Sequence, residues 1–233
     1  MKTRVLITGC SRGIGHALSE EFAKNGWLVC ATARRPQSPL LTGLTRHFPD
    51  VSVKKLDVLD ETSIAIAAAE IEQEWGGVDI LINNAALFPG DGNESIETLD
   101  PEWFNQAFDS NVSGVVRTVK AFLPLLRKGD GAKIINISSG AGSISTKDDF
   151  AYYPYSTSKA ALNMLTRALA AELKPQGITV AALSPGWVKT EMGGENAPLS
   201  PQQSAESLFR TITSLSLEKT GSFLGRDGEK YEW

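Results

Sequence analysis

A chain of 233 residues, 42% hydrophobic and 21% charged, can bury a core without disulfide or metal staples and is too apolar for disorder. At roughly 100–200 residues per domain, the length fits one large domain or two small ones. A net charge of −4 excludes a general nucleic-acid binder, whose surface must be basic, and no apolar run approaches the ~18 residues of a membrane span.

Residues 1–7 resemble the basic start of a signal peptide, but the apolar stretch stops at Thr8-Gly9, short of the ~7–15 residues an export signal needs. The two cysteines (Cys10, Cys30) and two histidines (His16, His47) show no metal-ligand spacing. No metal site is expected, and the chain reads as a cytoplasmic enzyme or binding protein.

In chain order, β-branched runs at residues 4–8, 27–33, 51–56, 78–82, 133–137 and 178–183 alternate with stretches of helical apolar spacing. One such stretch covers 61–75 and is closed by Gly76-Gly77. Another covers 101–128, with Pro124 bending or tightening its last turns. The clearest covers 158–173, where Ala161, Leu162, Leu165, Ala168, Leu169 and Leu173 form one stripe that stops at Lys174-Pro175-Gln176-Gly177. Apolar strands each followed by a helix predict an α/β fold, a doubly wound parallel sheet covered on both faces. No linker or repeat interrupts residues 1–233, which predicts a single domain. The irregular stretches at 87–95, 140–154 and 187–201 follow the carboxyl ends of strands, where open α/β sheets bind ligands.

Thr8-Gly9-Cys10-Ser11-Arg12-Gly13-Ile14-Gly15 follows the first strand and opens the first helix. Glycines let backbone approach a pyrophosphate, and a helix N-terminus offers free N–H groups. The spacing differs from both Gly-x-Gly-x-x-Gly and the P-loop. The alternative is a glycine-rich turn without a ligand. Charge indicates which nucleotide fits. The second strand ends at Ala33 and is followed by Arg34-Arg35, where an NAD site places an acid for the ribose 2′-hydroxyl. Arg34 can pair with a 2′-phosphate, and Arg12 can reach the same group, which points to NADP(H) in preference to NAD(H). Both are otherwise solvated charges. Asp57, after the third strand, can accept from an adenine amino group or serve as an acid before the next helix.

Tyr155-Ser156-Thr157-Ser158-Lys159 opens the clearest helix. Tyr155 and Lys159 stand at i and i+4, on one face. A free tyrosine has a pKa of about 10, and a neighbouring ammonium is expected to lower it toward neutrality. Ser138-Ser139 ends the fifth strand, Asn83-Asn84-Ala85-Ala86 follows the fourth, and Asn111 falls inside a helix, where asparagine is a poor former.

Taken together, Thr8-Gly9-x-x-x-Gly13-Ile14-Gly15, Asp57, Asn83-Asn84-Ala85, Asn111, Ser138-Ser139, Tyr155-x-x-x-Lys159 and Pro185-Gly186 resemble the short-chain dehydrogenase/reductase family over essentially the whole chain. Residues 220–233 look similar to its C-factor-like and carbonyl-reductase members. The resemblance implies a Rossmann sheet of about seven strands in the order 3-2-1-4-5-6-7. It implies catalysis by Asn111, Ser139, Tyr155 and Lys159. Tyr155 would be the general acid/base, Lys159 would tune it and hold the nicotinamide ribose, Asn111 would anchor a relay water, and Ser139, with Ser138 in reserve, would orient the carbonyl. Gly9, Ser11, Arg12, Gly13, Ile14, Gly15, Arg34, Asp57, Val58, Asn83, Asn84, Ala85, Tyr155 and Lys159 would hold the cofactor. Pro185, Gly186, Val188 and Thr190 would hold its nicotinamide end.

The implied reaction is hydride transfer between NADP(H) and a small carbonyl or alcohol, in a homodimer or homotetramer. A nucleotide-binding signalling protein of C-factor type, with little turnover, is the alternative. A serine hydrolase using Ser139 lacks a Gly-x-Ser-x-Gly elbow. Three departures stand out. Ala86 replaces a usual glycine. The loop from Ser139 to Tyr155, containing Lys147-Asp148-Asp149-Phe150, is a few residues long. The segment from Thr190 to Pro201 is short, which implies an open, permissive site.

Overall fold

A computed structural model describes residues 2–148 and 151–233; Asp149 and Phe150, part of the long loop after Ser139, lie outside the described residues, as does Met1. Seven strands form one parallel sheet: β1 (Arg4–Ile7), β2 (Leu28–Ala33), β3 (Val51–Lys55), β4 (Ile80–Asn83), β5 (Lys133–Ile137), β6 (Thr179–Ser184) and β7 (Ser222–Gly225). Their order is β3-β2-β1-β4-β5-β6-β7. The order reverses at β1, so the connections after β1 and β4 leave toward opposite faces, and such a switch point is where open sheets of this kind take ligands.

The alternation of β1 shows why helices cover both faces. Val5 and Ile7 face one way, toward Leu18 and Phe22 of α1 (Gly13–Lys24), Leu41 of α2 (Pro39–His47) and Leu208 of α7 (Pro201–Ser214). Leu6 faces the other, toward Ile64 and Ile71 of α3 (Glu61–Trp75), Phe122 of α5 (Gly114–Leu126) and Leu162 of α6 (Tyr153–Leu173). All three β1 residues are buried, which is why the strands read as continuous apolar runs. No helix among the described residues is long and apolar enough to cross a membrane.

The stretch expected to be one helix over 101–128 is α4 (Glu102–Phe108) and α5, joined by a π turn at Asp109–Ser113. That turn carries Asn111. Pro124 sits in the last turn of α5, where its missing donor costs one bond before the helix ends at Leu126. The Tyr155 helix starts at Tyr153, about two turns before the apolar stripe begins at Ala161. Two elements escaped the pattern: α2, which Ser38 caps by accepting from the Leu41 N–H at 3.3 Å, and β7.

Candidate active site

The glycine loop is fixed by strand β4 rather than by its own residues. Thr8 Oγ1 accepts from the backbone N–H of Asn84 and of Ala85, both at 3.0 Å. Asn84 Nδ2 donates to Thr8 O at 2.8 Å and Gly9 O at 3.2 Å. The glycines are needed for close approach. A Cβ on Gly9 would stand 2.8 Å from Ala85 Cα, and one on Gly15 would meet Gly9 O at 2.5 Å and the Asn84 amide. Arg12 precedes α1 but makes no side-chain cap, so the first-turn N–H groups are left to an external acceptor. Thr190 reaches across from beyond β6, its methyl 3.3 Å from where a Cβ of Gly13 would be.

The expected cofactor residues differ in what they have left to offer. Asn83 is buried and donates to Asn136 Oδ1 at 2.9 Å; Asn136 in turn donates to Thr166 Oγ1 at 2.8 Å. The Asn83 amide nitrogen is thus used inside the sheet. Arg12 does not stand free: its Nε lies 3.1 Å from Glu191 Oε2, with both side chains largely exposed. Arg34 and Arg35 are exposed and make no ion pair among the described residues. Asp57 Oδ1 accepts from the Leu59 N–H at 3.0 Å, and the cap of α3 is Asp60, not Asp57. Val58 packs over Gly114. Ser11 and Ile14 are half-buried in the loop, with Ile14 against the core. Gly186 adopts φ +80°, and Pro185 O accepts from Ser204 Oγ at 2.8 Å. The side chain of Val188 is buried, leaving its backbone for any ligand. The segment after it folds back on itself: Trp187 Nε1 donates to Gly193 O at 2.7 Å and Lys189 N to Leu199 O at 2.7 Å.

Three elements bring Asn111, Ser139, Tyr155 and Lys159 together. The π turn buries Asn111, whose Oδ1 accepts from the Leu87 N–H at 2.7 Å. Its Nδ2 donates to Leu87 O and to Ser158 Oγ, both at 2.9 Å. A helix-interior asparagine is poor locally but useful here, because the amide ties the loop after β4 to α6. Adjacent strand residues face opposite ways, which separates the two serines. Ser138 points inward and donates to Asn163 Oδ1 at 2.6 Å, whereas the Ser139 hydroxyl lies on the Tyr155 side, near enough to favour the phenolate slightly. Lys159 is buried, donates to Ile137 O at 2.8 Å, and lies 5.5 Å from the centroid of the Tyr155 ring.

The electrostatics correct one expectation. Burial pushes the Tyr155 hydroxyl up to about 12, opposed only by the Ser139 hydrogen bond. Burial also pushes the Lys159 ammonium down to about 8. Desolvation therefore dominates at Tyr155 in the cofactor-free chain, and its hydroxyl holds its proton at neutral pH.

Several contributors were not singled out from sequence. Asn163, which also donates to Gly142 O at 3.1 Å, stands at i+4 from Lys159 and i+8 from Tyr155, so helical spacing alone could have marked it. Phe88 lies 5.1 Å from the Tyr155 ring and 5.6 Å from that of Tyr152. Tyr152 has φ +65°, a left-handed conformation that no sequence signal announces.

The sequence model described as short chain dehydrogenase matches residues 3–199. An uncharacterized oxidoreductase of Schizosaccharomyces pombe is 32% identical over 241 residues, covering 95% of this chain and 94% of that protein. The C-signal protein of Myxococcus xanthus is 36% identical over 161 residues, 68% of this chain and 94% of its own length. Among solved structures, the carbonyl reductase Sniffer of D. melanogaster superposes with a TM-score of 0.95 at 31% identity, with 100% of both chains covered. The NADPH-bound carbonyl reductase from chicken fatty liver does so at 0.92 and 32%, again over 100% of both chains.

Proposed function

This chain belongs to the short-chain dehydrogenase family, and on that premise we propose that it is an NADP(H)-dependent oxidoreductase that reduces aldehydes or ketones to alcohols. The observation that carries the reading is the Ser139–Tyr155 hydroxyl pair beside the buried Lys159, which offers two O–H donors to one carbonyl oxygen.

The residues fit a nicotinamide dinucleotide. The close-packed glycines and the uncapped first turn of α1 form a cradle for a pyrophosphate. Arg34, an unpaired cation where a 2′-hydroxyl site would hold an acid, supports NADP(H) over NAD(H). Asp57 keeps one carboxylate oxygen without a protein partner among the described residues, able to accept from an adenine amino group. When bound, the dinucleotide supplies the hydride from C4 of its nicotinamide.

The protein's own groups handle the proton. Tyr155, protonated at neutral pH, donates to the carbonyl oxygen as negative charge develops there, and Ser139 donates a second hydrogen bond. Lys159 keeps two N–H donors beyond Ile137 O, and these suit the ribose hydroxyls. The Asn111 amide is spent on Leu87 and Ser158, so a relay water anchored at this residue would use its backbone carbonyl. Pro185, Gly186, Val188 and Thr190 are assigned to the carboxamide end, and Ser11, Gly13 and Ile14 to the pyrophosphate. Apolar Phe108, Val116 and Met164, exposed on α4, α5 and α6, support a homodimer or homotetramer.

The test is turnover of NADPH with a panel of aldehydes, ketones and quinones. Tyr155→Phe is expected to lower kcat by about 10³-fold while the Kd for NADPH stays within threefold. Tight NADPH binding without turnover of any carbonyl would instead indicate a nucleotide-binding role of the kind the C-signal similarity raises.

A further inference from the structure

The turn that presents Ser139 is gripped from three sides. Ser139 caps the 3-10 turn Gly140–Gly142, its Oγ accepting from the Ala141 N–H at 3.1 Å. Gly142 lies flat against α6, where a side chain would stand 2.8 Å from the Lys159 carbonyl carbon. Gly140 N donates to Ser184 Oγ, at the end of β6, at 3.1 Å.

The third grip comes from residues 229–233, which hold none of the site residues named above. They return antiparallel along β7, with Tyr231 N donating to Phe223 O at 2.9 Å. They then cross to the loop behind Ser139. Ser143 Oγ donates to Glu232 O at 2.8 Å, and Ser145 N donates to Trp233 O at 2.9 Å. Two rings anchor the crossing. Phe223 of β7 is stacked at 5.4 Å on Trp233 and lies 5.0 Å from Tyr231. Arg167 of α6 covers Trp233 at 5.9 Å while donating to Gly221 O at 2.9 Å. Tyr231 closes over the turn itself: a side chain on Gly140 would stand 3.2 Å from its Cε1.

We infer that Tyr231 and Trp233 are positioning residues for the reaction, setting where the Ser139 hydroxyl stands relative to Tyr155. The inference rests on the reading of Ser139 as a donor to the carbonyl. The argument is one of restraint. Without the strap, the hydrogen bonds to Ser184 and Asn163 and a steric wall at α6 would hold two sides of the turn, and the two rings close the third. No hydrogen bond, ion pair or ring contact joins residues 229–233 to the glycine loop among the described residues, so the effect is confined to one end of the site.

The experiment uses the full chain, NADPH and the best carbonyl of the panel. Tyr231→Ala and Trp233→Ala are each expected to lower kcat by about 10- to 100-fold, as small misplacements of reacting groups do, with the NADPH Kd within twofold. Tyr231→Phe and Trp233→Phe are expected to stay within about threefold of the parent. Amide hydrogen exchange in Trp233→Ala is expected to speed up over residues 139–145 and not over residues 8–16.

In a Ser139→Ala background, Trp233→Ala is expected to add less than about twofold, because it acts through the serine already removed. Ser143→Ala loses the Glu232 bond and leaves the rings alone; an intermediate loss of about threefold is expected from it should Trp233→Ala fail to fold. The inference is overturned if the Trp233→Ala loss persists in full without Ser139, if exchange over 139–145 is unchanged, or if NADPH affinity falls in step with kcat. Ser139→Ala with undiminished turnover would overturn the reading of Ser139 and this inference with it. A damaged Ser139→Ala enzyme with a silent Trp233→Ala would overturn the strap alone.

Discussion

The loop after β1 and the turn after β5 lie at the same edge of the same sheet, but they are held in different ways. The glycine loop is held by close backbone packing and by two side chains from within it and from the next strand's end: Thr8 Oγ1 and Asn84 Nδ2 tie it down, and its glycines leave no room for anything else. The Ser139 turn is held by side chains from far along the sequence: Ser184, Asn163 through Gly142, and the rings of Tyr231 and Trp233. A site built from backbone tolerates almost no substitution at its glycines. A site built from converging side chains can be loosened one contact at a time.

Four expectations sharpen or break that comparison. The largest is for Gly15→Ala. Its methyl would meet Gly9 O and the Asn84 amide, and a loss of about 2–4 kcal/mol is expected, read as a lower denaturation midpoint with NADPH binding abolished. An alanine variant that binds NADPH normally would show that the loop is not packed as tightly as described. Next is Arg34→Asp, expected to weaken NADPH binding by about 10- to 100-fold and leave NADH unchanged, measured by parallel titrations. Equal losses for both would remove the 2′-phosphate from Arg34.

The remaining two concern Lys159, which is buried with no carboxylate partner among the described residues. Replacing it with methionine is expected to stabilise the cofactor-free protein by about 1–3 kcal/mol, seen as a Tm several degrees higher, while activity is lost. A lower Tm would mean that the Ile137 bond outweighs desolvation. The smallest effect is a pH dependence. Because burial lowers the ammonium to about 8, its charge is present below that pH and is lost as pH rises through it, well before an ordinary lysine would titrate. The rate of carbonyl reduction is therefore expected to be flat near pH 6–7 and to fall above about pH 8, while Tyr155, at about 12, stays protonated. A profile flat to pH 10 would contradict the assigned role.

The same contrast governs what could be read in advance. Strands β1 to β6 and the glycine loop were legible because they depend on local runs, as with Val5-Leu6-Ile7 and the motif after them, whereas the strand order came only with the family resemblance. The i and i+4 placement of Tyr155 and Lys159 was legible for the same reason. The bond from Asn83 to Asn136 was not legible, because it depends on which strand lies next to β4. The pull of Lys159 on Tyr155 was overestimated because spacing reports proximity and says nothing about burial. The π turn at Asn111 and the left-handed Tyr152 are set by tertiary contacts with Leu87 and Gly92, which no local window contains.

The strap also has a meaning in time. The chain leaves the ribosome at about 5–20 residues per second, so roughly 5–20 s separate the emergence of β5 from that of Trp233. The bonds that tie the glycine loop to the end of β4 can form as soon as Asn84 and Ala85 are made. The Ser139 turn acquires its last restraint only when Trp233 arrives, long after Ser139 itself.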